Sequence, residues 1–218
     1  AGTPKDACGR SSYGYPSLLA KVGRLDLTLA ACSGATMADV FSSQLASVTP
    51  DADYVTVQVG GNDVGFAPVL LLCAQPDNDA TCAAGVAQGR AYLEGDFAAN
   101  ATALFGAVRA QAPQAKLIVV GYPRRFNGKD CSPLVEFSAA EQSLINGTVA
   151  ELNDQLAAAA RRVGAKFANP ASAFSGHAWC SRLPWVNGPV EPVVASFHPN
   201  VLGQLLGYAP VVGRYFLR

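Results

Sequence analysis

The run Tyr54-Val55-Thr56-Val57-Gln58-Val59, followed at once by Gly60-Gly61-Asn62-Asp63, constrains this chain more than any other stretch. A short apolar run rich in β-branched residues and closed by glycines reads as a buried strand. A strand that stops at two glycines and a side-chain amide places a hydrogen-bond donor at the carboxyl edge of a sheet. In open α/β sheets, that edge is where ligands bind. A second stretch fits the same architecture: Lys116-Leu117-Ile118-Val119-Val120 ends at Gly121-Tyr122-Pro123. Strands are also expected at 25–31 and 166–168. Helices are expected at 15–22, 36–45, 88–111 and 139–163, and from about Pro199 to Tyr215. The helix near 139 opens on a capping box, Ser138-Ala139-Ala140-Glu141. Residues 66–87 and 170–197 read as loops. Strands alternating with helices predict a layered α/β fold with a parallel sheet. No repeat, low-complexity tract or linker divides the 218 residues, so one domain over 1–218 is expected.

Composition narrows the function. Sixteen basic residues balance sixteen acidic ones. A neutral surface argues against a nucleic-acid partner and against electrostatic attachment to anionic membranes. No apolar stretch approaches the roughly 20 residues of a transmembrane helix. No leader sequence is legible, so any such segment is expected to have been removed or omitted. The cysteines Cys8, Cys32, Cys73, Cys82, Cys131 and Cys180 include no Cys-x-x-Cys pair, which disfavours a zinc site. An even count in a chain of this size favours three disulfides and an oxidising compartment, with sequential pairing preferred among the possible connectivities. The alternative is six buried free thiols in a cytosolic protein. Asn100-Ala101-Thr102 and Asn146-Gly147-Thr148 match the glycosylation sequon, but both fall on expected helices.

Two further stretches carry chemistry. Ala31-Cys32-Ser33-Gly34-Ala35 lies between an expected strand and helix, and Ser196-Phe197-His198-Pro199 precedes the last helix. An amide donor, a glycine where backbone can approach a substrate, and an imidazole are parts of an acyl-transfer site. With Gly60-Gly61-Asn62-Asp63, these blocks resemble, in order, the second, third and fifth sequence blocks of the SGNH (GDSL-type) hydrolases. They are most similar to the secreted actinobacterial lipases, phospholipases and esterases with three disulfides. The resemblance spans essentially the whole chain, including the sequential cysteine spacing, Gly121-Tyr122-Pro123 and the Phe174-Ser175-Gly176-His177 loop before Cys180.

That resemblance implies a flavodoxin-like three-layer α/β/α fold with a five-stranded parallel sheet. It assigns Gly34 (backbone N–H) and Asn62 (side-chain amide) to the oxyanion hole and His198 to the general base. No metal or organic cofactor is required. Many relatives carry an aspartate three residues before the histidine; here that position is Ala195, followed by Ser196. The carbonyl of Ala195 or Ser196 is therefore expected to accept the His198 Nδ1 proton. The family's first block, Gly-Asp-Ser, is not found in the chain. Its strand belongs between those at 25–31 and 54–59. The expectation is a short N-terminal segment of the same polypeptide, cut in an exposed loop before Ala1, that supplies both the strand and the serine.

Ser33 lies in the oxyanion block rather than at a nucleophile position. His177 is expected to be structural or to line the cleft, and Asp63 to hydrogen-bond its own turn. Arg124-Arg125 reads as a solvated loop pair able to meet an anionic head group. Phe66, Leu70, Leu71, Leu72, Phe126, Phe174, Trp179, Trp185 and Phe197 form an apolar excess in or beside loops, which suggests an acyl-chain groove. The reading is a secreted serine ester hydrolase, otherwise monomeric. The alternatives are a carbohydrate-ester deacetylase of the same family, which needs a more polar cleft, and a non-catalytic binding protein on this scaffold.

Overall fold

The computed structural model describes residues 6–216. Its sheet is parallel and three-stranded, in the order β1 (Tyr54–Val57), β2 (Lys116–Val120), β3 (Lys166–Ala168). Tyr54 lies opposite Lys116, and Val120 opposite Ala168. Side chains alternate across a strand, and β2 shows what this does. Leu117 and Val119 face one apolar core with Phe97, Leu104, Phe105, Leu152 and Leu156. Ile118 and Val120 face a second core with Tyr15, Phe126, Phe174, Tyr208 and Val212. Both sides of the sheet are thus covered, giving the expected three layers.

The helices are α1 (Tyr15–Gly23), α2 (Met37–Asp39), α3 (Phe66–Cys73), α4 (Asp79–Glu94), α5 (Phe97–Gln111), α6 (Ala139–Arg162) and α7 (Ala209–Gly213). Helix α6 begins at the expected capping box: the Ser138 hydroxyl accepts from the Glu141 N–H, and the Glu141 carboxylate accepts from the Ser138 N–H. Helix α2 is a single turn that runs on through π-type and 3-10 turns to Ser47. A π-type segment, Gly203–Tyr208, leads into α7.

Three expectations change. The helix expected at 88–111 is two helices, broken at Gly95-Asp96, because Gly95 leaves helical geometry there (φ −93°, ψ −106°). The loop expected at 66–87 is α3 plus the first half of α4. Pro68 is tolerated because it sits in the first turn of α3, where its missing N–H costs nothing. The strand expected at 25–31 is not formed. Strands exist only through ladder partners, and no neighbour among the described residues pairs with this segment; Leu25 and Leu27 are exposed. The outer edge of β1 also has no ladder partner among the described residues, and Tyr54, Val55 and Thr56 are only half-buried, whereas β2 is buried beyond Lys116.

Disulfides join Cys8 to Cys32, Cys73 to Cys82 and Cys131 to Cys180. The first ties the start of the described chain to the block containing Gly34, the second closes the α3–α4 hairpin, and the third staples two long loops.

Candidate active site

The carboxyl ends of β1 and β2 are laced together before the site begins. The Gln58 amide donates to the carbonyl of Gly121 and to the Tyr208 hydroxyl, each at 2.8 Å. The chain then turns sharply: the Val64 N–H bonds the Gly60 carbonyl, and the Phe66 N–H bonds the Gly61 carbonyl. Gly60 has φ +110°, and a Cβ there would come within 2.9 Å of the Phe97 ring, so only glycine fits. The Gly61 N–H is held by the Tyr122 hydroxyl at 3.1 Å.

This turn presents Asn62 at the surface. One N–H of its amide donates to the carbonyl of Ala35 at 2.9 Å, docking the turn against the residue after Gly34. Asp63 makes a second tie. Its carboxylate reaches beyond its own turn and accepts from the Met37 N–H at the start of α2. Burial raises the Asp63 pKa, while backbone hydrogen bonds oppose the shift. Gly34 has φ +84° and is exposed, and a side chain there would meet nothing within 4 Å. The Gly34 and Asn62 blocks therefore form one edge, with a backbone stretch and an amide side by side.

His198 follows Phe197, which is held in the left-handed region at φ +58°. Its Nδ1 lies 3.0 Å from the carbonyl of Ser196. A carbonyl can only accept, so Nδ1 carries the proton and Nε2 keeps its lone pair. The carbonyl of Ala195 is otherwise engaged, by the Asn187 amide and the His198 N–H. The Ser196 hydroxyl is paired with both the N–H and the carbonyl of Val190, which fixes the backbone that carries the accepting carbonyl. His198 is exposed to solvent, yet the protein around it partly desolvates the imidazole. That desolvation, followed by the positive charge of Arg125, pulls the His198 pKa below its ordinary value; the Ser196 carbonyl acts in the opposite sense.

Other residues fall elsewhere. His177 stacks on Trp185 with ring centroids 3.9 Å apart, and its Nδ1 meets the Leu183 carbonyl. Ser33 is tied through its N–H to the Cys8 carbonyl. Of the residues expected to line an acyl groove, Leu70, Phe126, Phe174, Trp179, Trp185 and Phe197 are buried core instead, since aromatic rings beside long loops pack against one another; Leu71 and Leu72 stay exposed. A depression of about 390 Å³ lies at the opposite, amino end of the strands, beside Pro50, Tyr54 and Lys116. Cys73, Cys82 and Glu141 form a cluster of ligand types, but both sulfurs are bound in a disulfide and cannot serve as thiolates.

Arg125 overturns its expectation outright: it is 4% exposed, while its neighbour Arg124 is at the surface. Nothing in Tyr122-Pro123-Arg124-Arg125-Phe126 announces this.

Comparisons with known proteins bear on the family and the fold. The profile of the "GDSL-like Lipase/Acylhydrolase family" matches residues 1–206. The chain is 35% identical over 210 residues to a lipase from Streptomyces rimosus and 32% identical to Lipase 1 from Streptomyces coelicolor, covering 94% of this chain and 76% of each relative. Its structure is similar to the crystal structure of the extracellular lipase of Streptomyces rimosus (TM-score 0.87, covering 95% of this chain and 88% of the other). It is also similar to that of phospholipase A1 from Streptomyces albidoflavus, with TM-score 0.89 and 30% identity, covering 98% and 93%.

Proposed function

Since the chain belongs to the GDSL-like lipase/acylhydrolase family, we propose that it is a secreted carboxylic ester hydrolase of lipase or phospholipase type, acting through an acyl-enzyme. His198 is the general base, and the Gly34 N–H and the Asn62 amide hold the oxyanion. One observation carries the reading: His198 Nδ1 rests on the Ser196 carbonyl, so Nε2 is free to take a proton from an attacking hydroxyl. The docking of Asn62 beside Ala35 supports the second part, because oxyanion donors work only when held in place before charge develops. Three disulfides and the likeness to the extracellular lipase of Streptomyces rimosus support secretion. We take residues 1–218 as one domain acting as a monomeric unit.

The nucleophilic serine is proposed to come from a further N-terminal segment of the same polypeptide, pairing along the outer edge of β1 beside residues 25–31. The half-buried β1 and the 25–29 stretch, which has no ladder partner among the described residues, support this. In the reaction, the serine oxygen attacks the ester carbonyl and its proton passes to His198 Nε2. The same proton then goes to the leaving alkoxide. Water next attacks the acyl-enzyme and repeats the transfer, releasing acid and free serine. No metal enters the scheme.

The test is turnover of nitrophenyl esters of graded chain length by the native protein and by His198→Ala. We expect the variant to lose about a thousandfold or more in kcat, and the parent to favour chains longer than acetyl. Turnover by His198→Ala near the parent rate overturns the assignment.

A further inference from the structure

We propose that Arg125 is a positioning residue of this hydrolase: its buried guanidinium clamps the Phe197 carbonyl and the oxyanion turn together, and so holds His198 in register with Asn62. The inference rests on the reading of His198 as the base and goes beyond it. Four contacts carry it. The guanidinium donates through Nη1 to the carbonyl of Phe197, the residue before His198. It lies over the Phe66 ring at 4.3 Å, and Phe66 closes the turn that presents Asn62 by bonding the Gly61 carbonyl. The Arg125 backbone is itself fixed, its N–H by the Asn146 side-chain oxygen and its carbonyl by the Trp179 N–H.

The position it stabilises needs help. Phe197 is bulky, and a positive φ is strained for such a residue unless its surroundings over-determine it. Its ring is boxed by Phe126, Phe137 and Trp179. That packing fixes the side chain, and Arg125 fixes the carbonyl.

The charge itself is unusual. Arg125 forms no ion pair among the described residues, and its Nε has no hydrogen-bond partner. The titratable groups facing it are Tyr122, pushed up to about 12 by burial, Tyr208, pushed further by the same cause, and His198. Both phenols are neutral at working pH, so neither offsets the guanidinium. A buried cation without a counter-charge is costly, and its remaining effect is to disfavour a second positive charge on the nearby imidazole. Methionine, neutral and shorter, would keep the packing of the aliphatic stem and lose this effect; lysine would keep the charge and lose the planar fork.

The experiment compares Arg125→Met and Arg125→Lys in the native protein with all its polypeptide present. The readouts are kcat and KM on a soluble short-chain ester, melting temperature, and the His198 titration midpoint by NMR, with the two histidines told apart through His177→Gln. Arg125→Met should lower kcat about tenfold or more with KM within about threefold, and raise the His198 midpoint. Arg125→Lys should also lower kcat but leave the midpoint near the parent's. A folded Arg125→Met with unchanged kcat and midpoint overturns the proposal; if that variant does not fold, unchanged kcat in Arg125→Lys does so. A purely structural role would lower the melting temperature while the folded fraction kept its kcat and its midpoint. If His198→Ala stays active, the reading of the base fails. If His198→Ala is inactive and the Arg125 variants are normal, only the present inference fails.

Discussion

Asn62 and His198 show how much of the proposed chemistry depends on single side chains held by backbone carbonyls. The Asn62 amide hangs on the Ala35 carbonyl and His198 on that of Ser196. Asn62→Ala should leave the fold intact, since the side chain is exposed, and lower kcat by about 10²–10³ with little change in melting temperature. Steady-state kinetics alongside a thermal melt checks this. For His198 the sign follows from its role. A base must be neutral, and desolvation with Arg125 pulls its pKa below the ordinary histidine value. The acid limb of kcat/KM should therefore fall below about 6.5, with activity rising as pH rises through the lowered midpoint. A limb above that value contradicts the arrangement. The same shift favours the folded state above the ordinary value, a contribution lost as pH falls through the lowered pKa.

Elements were legible where their signals were local. The apolar run and the Gly60-Gly61 stop place β1 and its turn, and Ser138 with Glu141 fixes the start of α6 within a residue. Gly60 is testable at this scale. Gly60→Ala should destabilise the protein by about 2–4 kcal/mol in chemical denaturation, adding positive-φ strain to a clash with Phe97. What failed to show in the sequence depended on distant partners. The 25–31 segment alternates like a strand but has no ladder among the described residues. The residues at 66–87 looked like a loop because Pro68 and two cysteines obscure a helical hairpin. The buried state of Arg125 could not be read at all, because it is set by Phe66, Trp179 and Phe197, each more than 50 residues away in sequence or packed by tertiary contact. The blocks containing Gly34, Asn62 and His198 were readable as residues; that Ser196 rather than Ala195 backs the imidazole is a matter of where two carbonyls point.

At the scale of the molecule, β1 has no ladder partner along its outer edge among the described residues, and Tyr54, Val55 and Thr56 there are only half-buried. An unpaired edge is an invitation to another strand, and a peptide added there would contribute one residue of chemistry as well as its backbone. A denaturing intact-mass spectrum of the native protein should therefore reveal polypeptide beyond residues 1–218 that contains Gly-Asp-Ser, either as a separate fragment or joined to this chain. Labelling of that segment by a fluorophosphonate should accompany it. A species of residues 1–218 alone that nevertheless hydrolyses esters would remove the added strand from the account.

The support behind His198 has one more consequence. A carboxylate partner would feel added electrolyte, because mobile ions screen charge against charge. The Ser196 carbonyl is a neutral dipole bonded at 3.0 Å, and dipoles at contact distance are almost indifferent to ionic strength. The imidazole is thus oriented by something that brine cannot weaken.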